Sequence, residues 1–213
     1  MSTVQPISAR KTGELARLLE ERLRGDSSFQ LLIEHPDEVV ALIDAIKERE
    51  AQVLQFVKSV TLSAIPLFDV GAHFMVTPEK ERKHAELVIR WLGDNAQRLV
   101  KGSVEPEVAQ AFLRIHSLTK ASVDGSIIAE LGGEEVILTT WGQMREMMRR
   151  QGRGQPGDLL TNGYANVFYI RQANGEVWAV YCRWGPDYGD WTVEAYPVTD
   201  PSGWSAGFRV FSR

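Results

Sequence analysis

Residue usage changes once along this chain, and the change limits what it can fold into. Every lysine and all four histidines lie at or before Asp124. The remainder holds all five tyrosines, five of the six tryptophans and 13 of the 18 glycines. Stretches that draw on such different residues are expected to build different architectures. The sequence predicts an all-helical interaction domain over residues 1–122 and an α+β domain over residues 123–213. Charge does not mark the boundary. Up to Asp124 there are 16 basic and 18 acidic side chains, and after it 8 and 10, so each part carries −2 of the net −4.

The first part reads as helices. Leu15, Leu18, Leu19 and Leu23 repeat at helical spacing over Glu14 to Arg24, and Gly25 closes the run. His35-Pro36-Asp37-Glu38 suits the first turn of a second helix, and Val39, Ile43, Ile46, Val53, Val57 and Val60 follow it at 4-3 spacing. A helix over residues 36–60 would be roughly 37 Å long, more than a small domain needs, so its apolar seam predicts self-association or docking on a protein partner. A third helix is expected from Thr77-Pro78-Glu79 to Gly102, with Leu87, Val88, Trp91, Leu92 and Leu99 as its apolar face. A fourth, from Glu105-Pro106, carries Val108, Phe112, Ile115 and Leu118. Together these form an N-terminal helical bundle.

After Asp124 the hydrophobic period shortens. Ser126–Leu131 and Glu135–Thr139 flank Gly132-Gly133, the signature of a two-residue hairpin. Thr140-Trp141-Gly142-Gln143 fits a capping box opening a helix that stops at Gly152, with Trp141, Met144 and Met148 on one face. Four strands follow at Asn166–Arg171, Glu176–Trp184, Trp191–Val198 and Phe208–Ser212. Asn174-Gly175 suggests a type I′ turn between the first two, and Asp200-Pro201-Ser202-Gly203 a type I turn. The expected second domain is a hairpin, a helix and an antiparallel meander, with the helix covering one sheet face. That order, by element sequence alone, is similar to PAS-like sensor domains.

Composition and spacing exclude several function classes. A net charge of −4 argues against a protein held on DNA by overall charge. The single cysteine, Cys182, excludes a disulfide framework and a Cys-rich zinc site and fits the reducing cytoplasm. No signal-peptide core opens the sequence, and the apolar stretch Val60 to Val76 is broken by Pro66, Asp69 and Gly71, so no membrane association is expected. Gly152-Arg153-Gly154-Gln155-Pro156-Gly157 satisfies G-x-G-x-x-G, yet it follows a helix where the dinucleotide fingerprint follows a strand, so no cofactor is assigned. Glu81-Arg82-Lys83-His84 is a single E-x-x-H where a di-iron bundle needs two, so no metal is assigned either. Cys182, between tryptophans on one strand face and far from any histidine, reads as a small core residue.

Two places invite a ligand. Arg145, Arg149, Arg150 and Arg153 cluster at the end of a helix beside a glycine-rich loop, a fit for a small anionic ligand or a nucleic-acid backbone. Asp187, Tyr188, Asp190 and Trp191 sit in or beside the loop joining two strands, where carboxylates beside aromatic walls can hold a ligand. No catalytic constellation is present, so the expected function is a non-enzymatic, sensor- or adaptor-like binding protein. One alternative is a nucleic-acid-associated protein using the arginine cluster with Tyr169, Arg171, Tyr181 and Arg183 on an open sheet face. Another is an enzyme using His73, His84 or His116 with nearby carboxylates.

Overall fold

A computed structural model describes Asp44 and residues 52–213. The chain divides between Ala51 and Gln52, and the unit Gln52–Arg213 is described by itself. The expected helix over Glu14–Arg24, and the part of the 36–60 helix before residue 52 other than Asp44, lie outside the described residues.

Ten strands form this unit: β1 Leu54–Leu62, β2 Phe68–Asp69, β3 Ile89–Leu92, β4 Val104–Glu105, β5 Ala111–Leu118, β6 Leu138–Thr139, β7 Ala165–Arg171, β8 Val177–Gly185, β9 Asp190–Pro197 and β10 Arg209–Ser212. Five short helices accompany them: α1 Val70–His73, α2 Asp94–Val100, α3 Asp124–Glu130, α4 Glu134–Ile137 and α5 Trp141–Arg150. Eight strands make one mixed sheet in the order β1-β5-β10-β7-β8-β9-β3, with β6 alongside β7. β10 pairs parallel with Asn166–Phe168 of β7, and β6 pairs parallel with Tyr169 and Ile170, so the two lie end to end along one side of β7. β2 and β4 form a separate two-stranded ribbon.

This architecture overturns the helical bundle followed by an antiparallel sheet. Within residues 52–122 the main elements are strands, and they join the same sheet as strands from beyond residue 123. The 4-3 spacing of Val53, Val57 and Val60 ends in β1, whose β-branched residues pair antiparallel with β5. The seam of a long 36–60 helix therefore cannot run past Gln52. In β5, Leu113 and Ile115 face one core while Leu118 faces the other, an alternation that the i, i+3 spacing of Phe112, Ile115 and Leu118 concealed. Between Thr77 and Gly102 the chain breaks at Gly93, which caps α2 after β3 has ended. Thr77 caps no helix there; its hydroxyl accepts the N–H of Ile89.

The 126–139 hairpin is likewise absent. Gly132 and Gly133 take φ of +96° and +105°, and their N–H groups bond Ala129 O and Ile128 O, closing α3 before α4 begins. The PAS-like order loses its opening hairpin with it. The capping box and α5 stand as read, with Thr140 accepting from Gln143 N and Gln143 Oε1 accepting from Thr140 N, each at 3.1 Å. β7, β8 and β9 form the expected antiparallel meander. β10 instead leaves its end, inserting between β5 and β7. Gly175 has φ +89° while Asn174 is not left-handed, so a type I turn with a glycine bulge joins β7 to β8 in place of type I′. Asp200 N bonds Pro197 O, placing that hydrogen-bonded turn three residues earlier than Asp200–Gly203.

Both sheet faces are covered, not one. α5 lays Trp141, Met144, Met147 and Met148 against Phe168, Ile170, Trp178, Val180 and Cys182. On the opposite face, Ile127 of α3 and Ile137 of α4 pack with Val167, Tyr169, Val177 and Ala179. Tyr169 is fully buried, and Tyr181 stacks among Tyr196 and Trp204, so the face read as wet is a second core. Cys182 is buried and free, and burial pushes its thiol well above the ordinary range. Among the described residues, no helix is long and apolar enough to cross a membrane.

Candidate functional site

The site begins at the N-terminus of α5. Glu105 of β4 accepts the N–H groups of Trp141 and Gly142 on its two carboxylate oxygens, each at 2.8 Å. Those are free donors at a helix start, and the carboxylate meets the positive end of the helix dipole. Burial raises the Glu105 pKa, against the bonds from Gly142 and Trp141. The ribbon carrying Glu105 thereby fixes the segment Ser63–Phe68 over the helix. Gly142 makes the close approach possible, because a Cβ there would stand 3.0 Å from Ile65 Cγ2.

Asp69 caps α1 through the N–H of Ala72 at 3.0 Å. Two aromatic side chains stand at the end of this short helix. Phe74 packs edge-on against buried Trp141, and His73 stacks on Phe68 with ring centroids 4.6 Å apart and planes 11° from parallel. The cleft so formed has a volume of about 550 Å³. Its lining combines apolar groups, from Ala64, Ile65, Pro66 and Phe68, with charged groups, from Arg145, Glu146, Arg149 and Glu86. A smaller cavity of about 200 Å³ lies beyond, and His73 and Arg145 line both.

Arg145 is the unusual group. Its Nε donates to the main-chain oxygen of His73 at 3.3 Å, and its Nη1 is buried with no acceptor among the described residues. Burial lowers its pKa, aided by Arg149 and opposed by Glu86 and Glu146. A charged donor without an acceptor is costly to keep inside a protein.

The other three arginines are engaged. Arg149 donates to Glu86 at 2.6 Å and to Glu146 at 2.8 Å, which raises its pKa. Arg150 donates to Glu146 at 3.0 Å and to the main-chain oxygen of Thr61. For Glu146, burial acts to raise the pKa, but the bonds from Arg149 and Arg150 outweigh it and lower it overall. Arg153 turns away and donates to Lys83 O at 2.9 Å. Of the four, only Arg145 and Arg149 line the cleft.

The second expected site is placed differently. Asp190 is buried and bound to Arg90 at 2.9 Å, and the exposed ring of Tyr188 lies 4.3 Å from the same guanidinium. Asp187 is exposed in the adjoining turn. Trp191 is fully buried, with its Nε1 donating to Gln151 O, so its ring serves the core. The loop is organised around Arg90, which sequence reasoning did not single out.

The glycines of the 152–157 loop make room for packing. A Cβ at Gly152 would lie 2.0 Å from Glu86 O, and one at Gly154 2.3 Å from Trp184. Among the described residues, no group of three or more His, Cys, Asp or Glu side chains is placed to hold a metal ion. His73 lines the cleft, whereas His116 is buried in β5 under the edge of Phe56.

Sequence reasoning missed Ile65, Phe68, Glu86 and Gly142. The segment Phe68-Asp69 followed by Ala72-His73 held a legible signal, an Asp at an N-cap, but an expected bundle left no place for a four-residue helix. Comparison with family models, with curated proteins and with solved structures finds no match to this chain.

Proposed function

We propose that this protein is a non-enzymatic binding module whose cleft between α1, α5 and the Ser63–Phe68 segment takes a small organic anion. The observation that carries this reading is Arg145: a half-buried guanidinium that lines two cavities, with its Nη1 buried and unmatched among the described residues. A carboxylate is the natural acceptor for that fork. The cleft volume lies within the range of small-molecule sites. The free, buried thiol of Cys182 suits a reducing, cytoplasmic setting.

The nucleic-acid reading has less support. Arg149 and Arg150 are matched by Glu86 and Glu146, and the sheet face carrying Tyr169 and Tyr181 is occupied by a second core.

Isothermal titration of the full chain with benzoate, acetate and inorganic phosphate tests the proposal. At least one of these anions binds, and Arg145→Gln weakens it by about tenfold or more. Equal binding by the variant, or no binding of any of the three by the wild-type protein, overturns the reading.

A further inference from the structure

The lining of the Arg145 cleft is part apolar and part charged, and that combination narrows the ligand. Resting on the anion-binding reading above, we infer that the ligand is an aromatic carboxylate, with its ring against Ile65, Pro66 and Phe68 and its carboxylate on Arg145.

Charge sets the first requirement. Glu86, Arg149, Glu146 and Arg150 form a linear chain of ion pairs, two anions against two cations, with contacts of 2.6 to 3.0 Å. That chain neutralises itself and offers no net charge to a ligand. Arg150 binds Glu146 from outside the cleft lining, and counting it leaves Arg145 as the excess cation of this cluster, so a single negative charge is what the site takes. A polyanion would place further charges beside Glu86 and Glu146.

The position of the guanidinium sets the second requirement. The main-chain oxygen of His73 holds Nε, which fixes the root of the fork. From that anchored position the guanidinium lines both cavities, where a planar carboxylate can meet it.

Shape and polarity set the third requirement. Besides the charged groups, four consecutive positions, Ser63, Ala64, Ile65 and Pro66, and then Phe68 line the cleft with mostly apolar groups. Phe68 is held flat by its stack on His73, so its ring is oriented before any ligand arrives. An aromatic body gains offset or edge contacts with such a ring beyond the area it buries. The floor at Gly142 has no side chain, and Ile65 already fills the space a Cβ would need. The fit is to a flat body with one charged end.

The experiment compares benzoate, cyclohexanecarboxylate, acetate and inorganic phosphate by isothermal titration on the wild-type chain, Arg145→Gln, Arg145→Lys and Phe68→Leu. Benzoate is expected to bind about tenfold more tightly than acetate, from its buried ring. Phe68→Leu keeps apolar bulk and is expected to lose about fivefold for benzoate while leaving acetate unchanged. Arg145→Lys keeps the charge and recovers part of the loss seen in Arg145→Gln. Upfield shifts of the benzoate ring protons on binding, absent in Phe68→Leu, report the ring contact directly. Equal affinity for benzoate and cyclohexanecarboxylate overturns the aromatic preference. Equal Arg145-dependent binding of acetate and benzoate overturns this inference and leaves the anion-binding reading standing. Absence of binding by all four probes overturns both.

Discussion

Tyr169 donates its hydroxyl to Asp124 Oδ1 at 2.7 Å, joining a central strand to the first residue of α3 across 45 positions of sequence. Trp204 Nε1 donates to the same oxygen, also at 2.7 Å. Burial raises the Asp124 pKa, with the two donors working against that rise, and burial also drives the Tyr169 hydroxyl well above its ordinary range. Tyr169→Phe removes one donor without opening a cavity, and its expected cost is about 1–3 kcal/mol. Asp124→Ala strands two buried donors and should cost more. Urea unfolding of the two variants checks the order, and an unchanged midpoint for Asp124→Ala would contradict it.

A carboxylate on β4 starts α5 as much as the capping box does. Glu105→Gln keeps the shape but replaces one of two acceptor oxygens with a donor, facing the N–H groups of Trp141 and Gly142. The expected loss is about 1–2 kcal/mol. Hydrogen exchange should localise it to the first turn of α5, and uniform loss of protection across the sheet would contradict that placement.

His116 gives stability a pH dependence of definite sign. Burial lowers its pKa from 6.5, Arg114 lowers it further, and Glu130 acts in the opposite direction. The folded state therefore binds fewer protons than the unfolded chain once the pH falls below about 6.5. Stability from this group is present above that pH and is lost as the pH falls toward the lowered folded value. The raised carboxyls Glu105 and Asp124 act in the other direction at lower pH, so the comparison must be with His116→Asn. Between pH 7.5 and pH 5.5 the wild-type protein should lose urea stability relative to that variant; parallel profiles would contradict the sign.

Two glycines separate backbone strain from crowding. Gly163 has φ +89° with nothing within 4 Å of an added Cβ, whereas Gly154 has φ +71° and a Cβ would fall 2.3 Å from Trp184 Cε2. Gly163→Ala should cost about 1–2 kcal/mol, from the left-handed backbone alone. Gly154→Ala should cost more and shift tryptophan fluorescence, because Trp184 must move. Equal costs for the two variants would show that the loop gives way instead of the ring.

The meander and α5 were legible because their signals are local. The capping box of Thr140 and Gln143, the alternation of Trp178, Val180 and Cys182, and the turn at Gly175 each lie within a few residues of what they determine. β1, β3 and β5 were not, because their partners lie far along the chain. Val57 and Val60, or Phe112 and Ile115, satisfy a helical period and a strand equally well, and pairing decides between them. The site was half legible. Arg145 stood out as one of four similar arginines, but what distinguishes it is an Nη1 with no acceptor among the described residues and two cavities, neither of which is written in local spacing.

The insertion of β10 between β5 and β7 has a consequence for how the protein is made. Its residues 209–212 supply the ladder that connects the β1–β5 pair to the β7–β8–β9–β3 array. During vectorial synthesis these two parts remain unconnected through the sheet until β10, which follows every other described strand, has left the ribosome. Until then, β5 presents an open edge, as does β7 at Asn166–Phe168, beside its pairing with β6. A nascent chain of this protein therefore has a window of exposure to edge-to-edge misassembly that closes only when β10 docks.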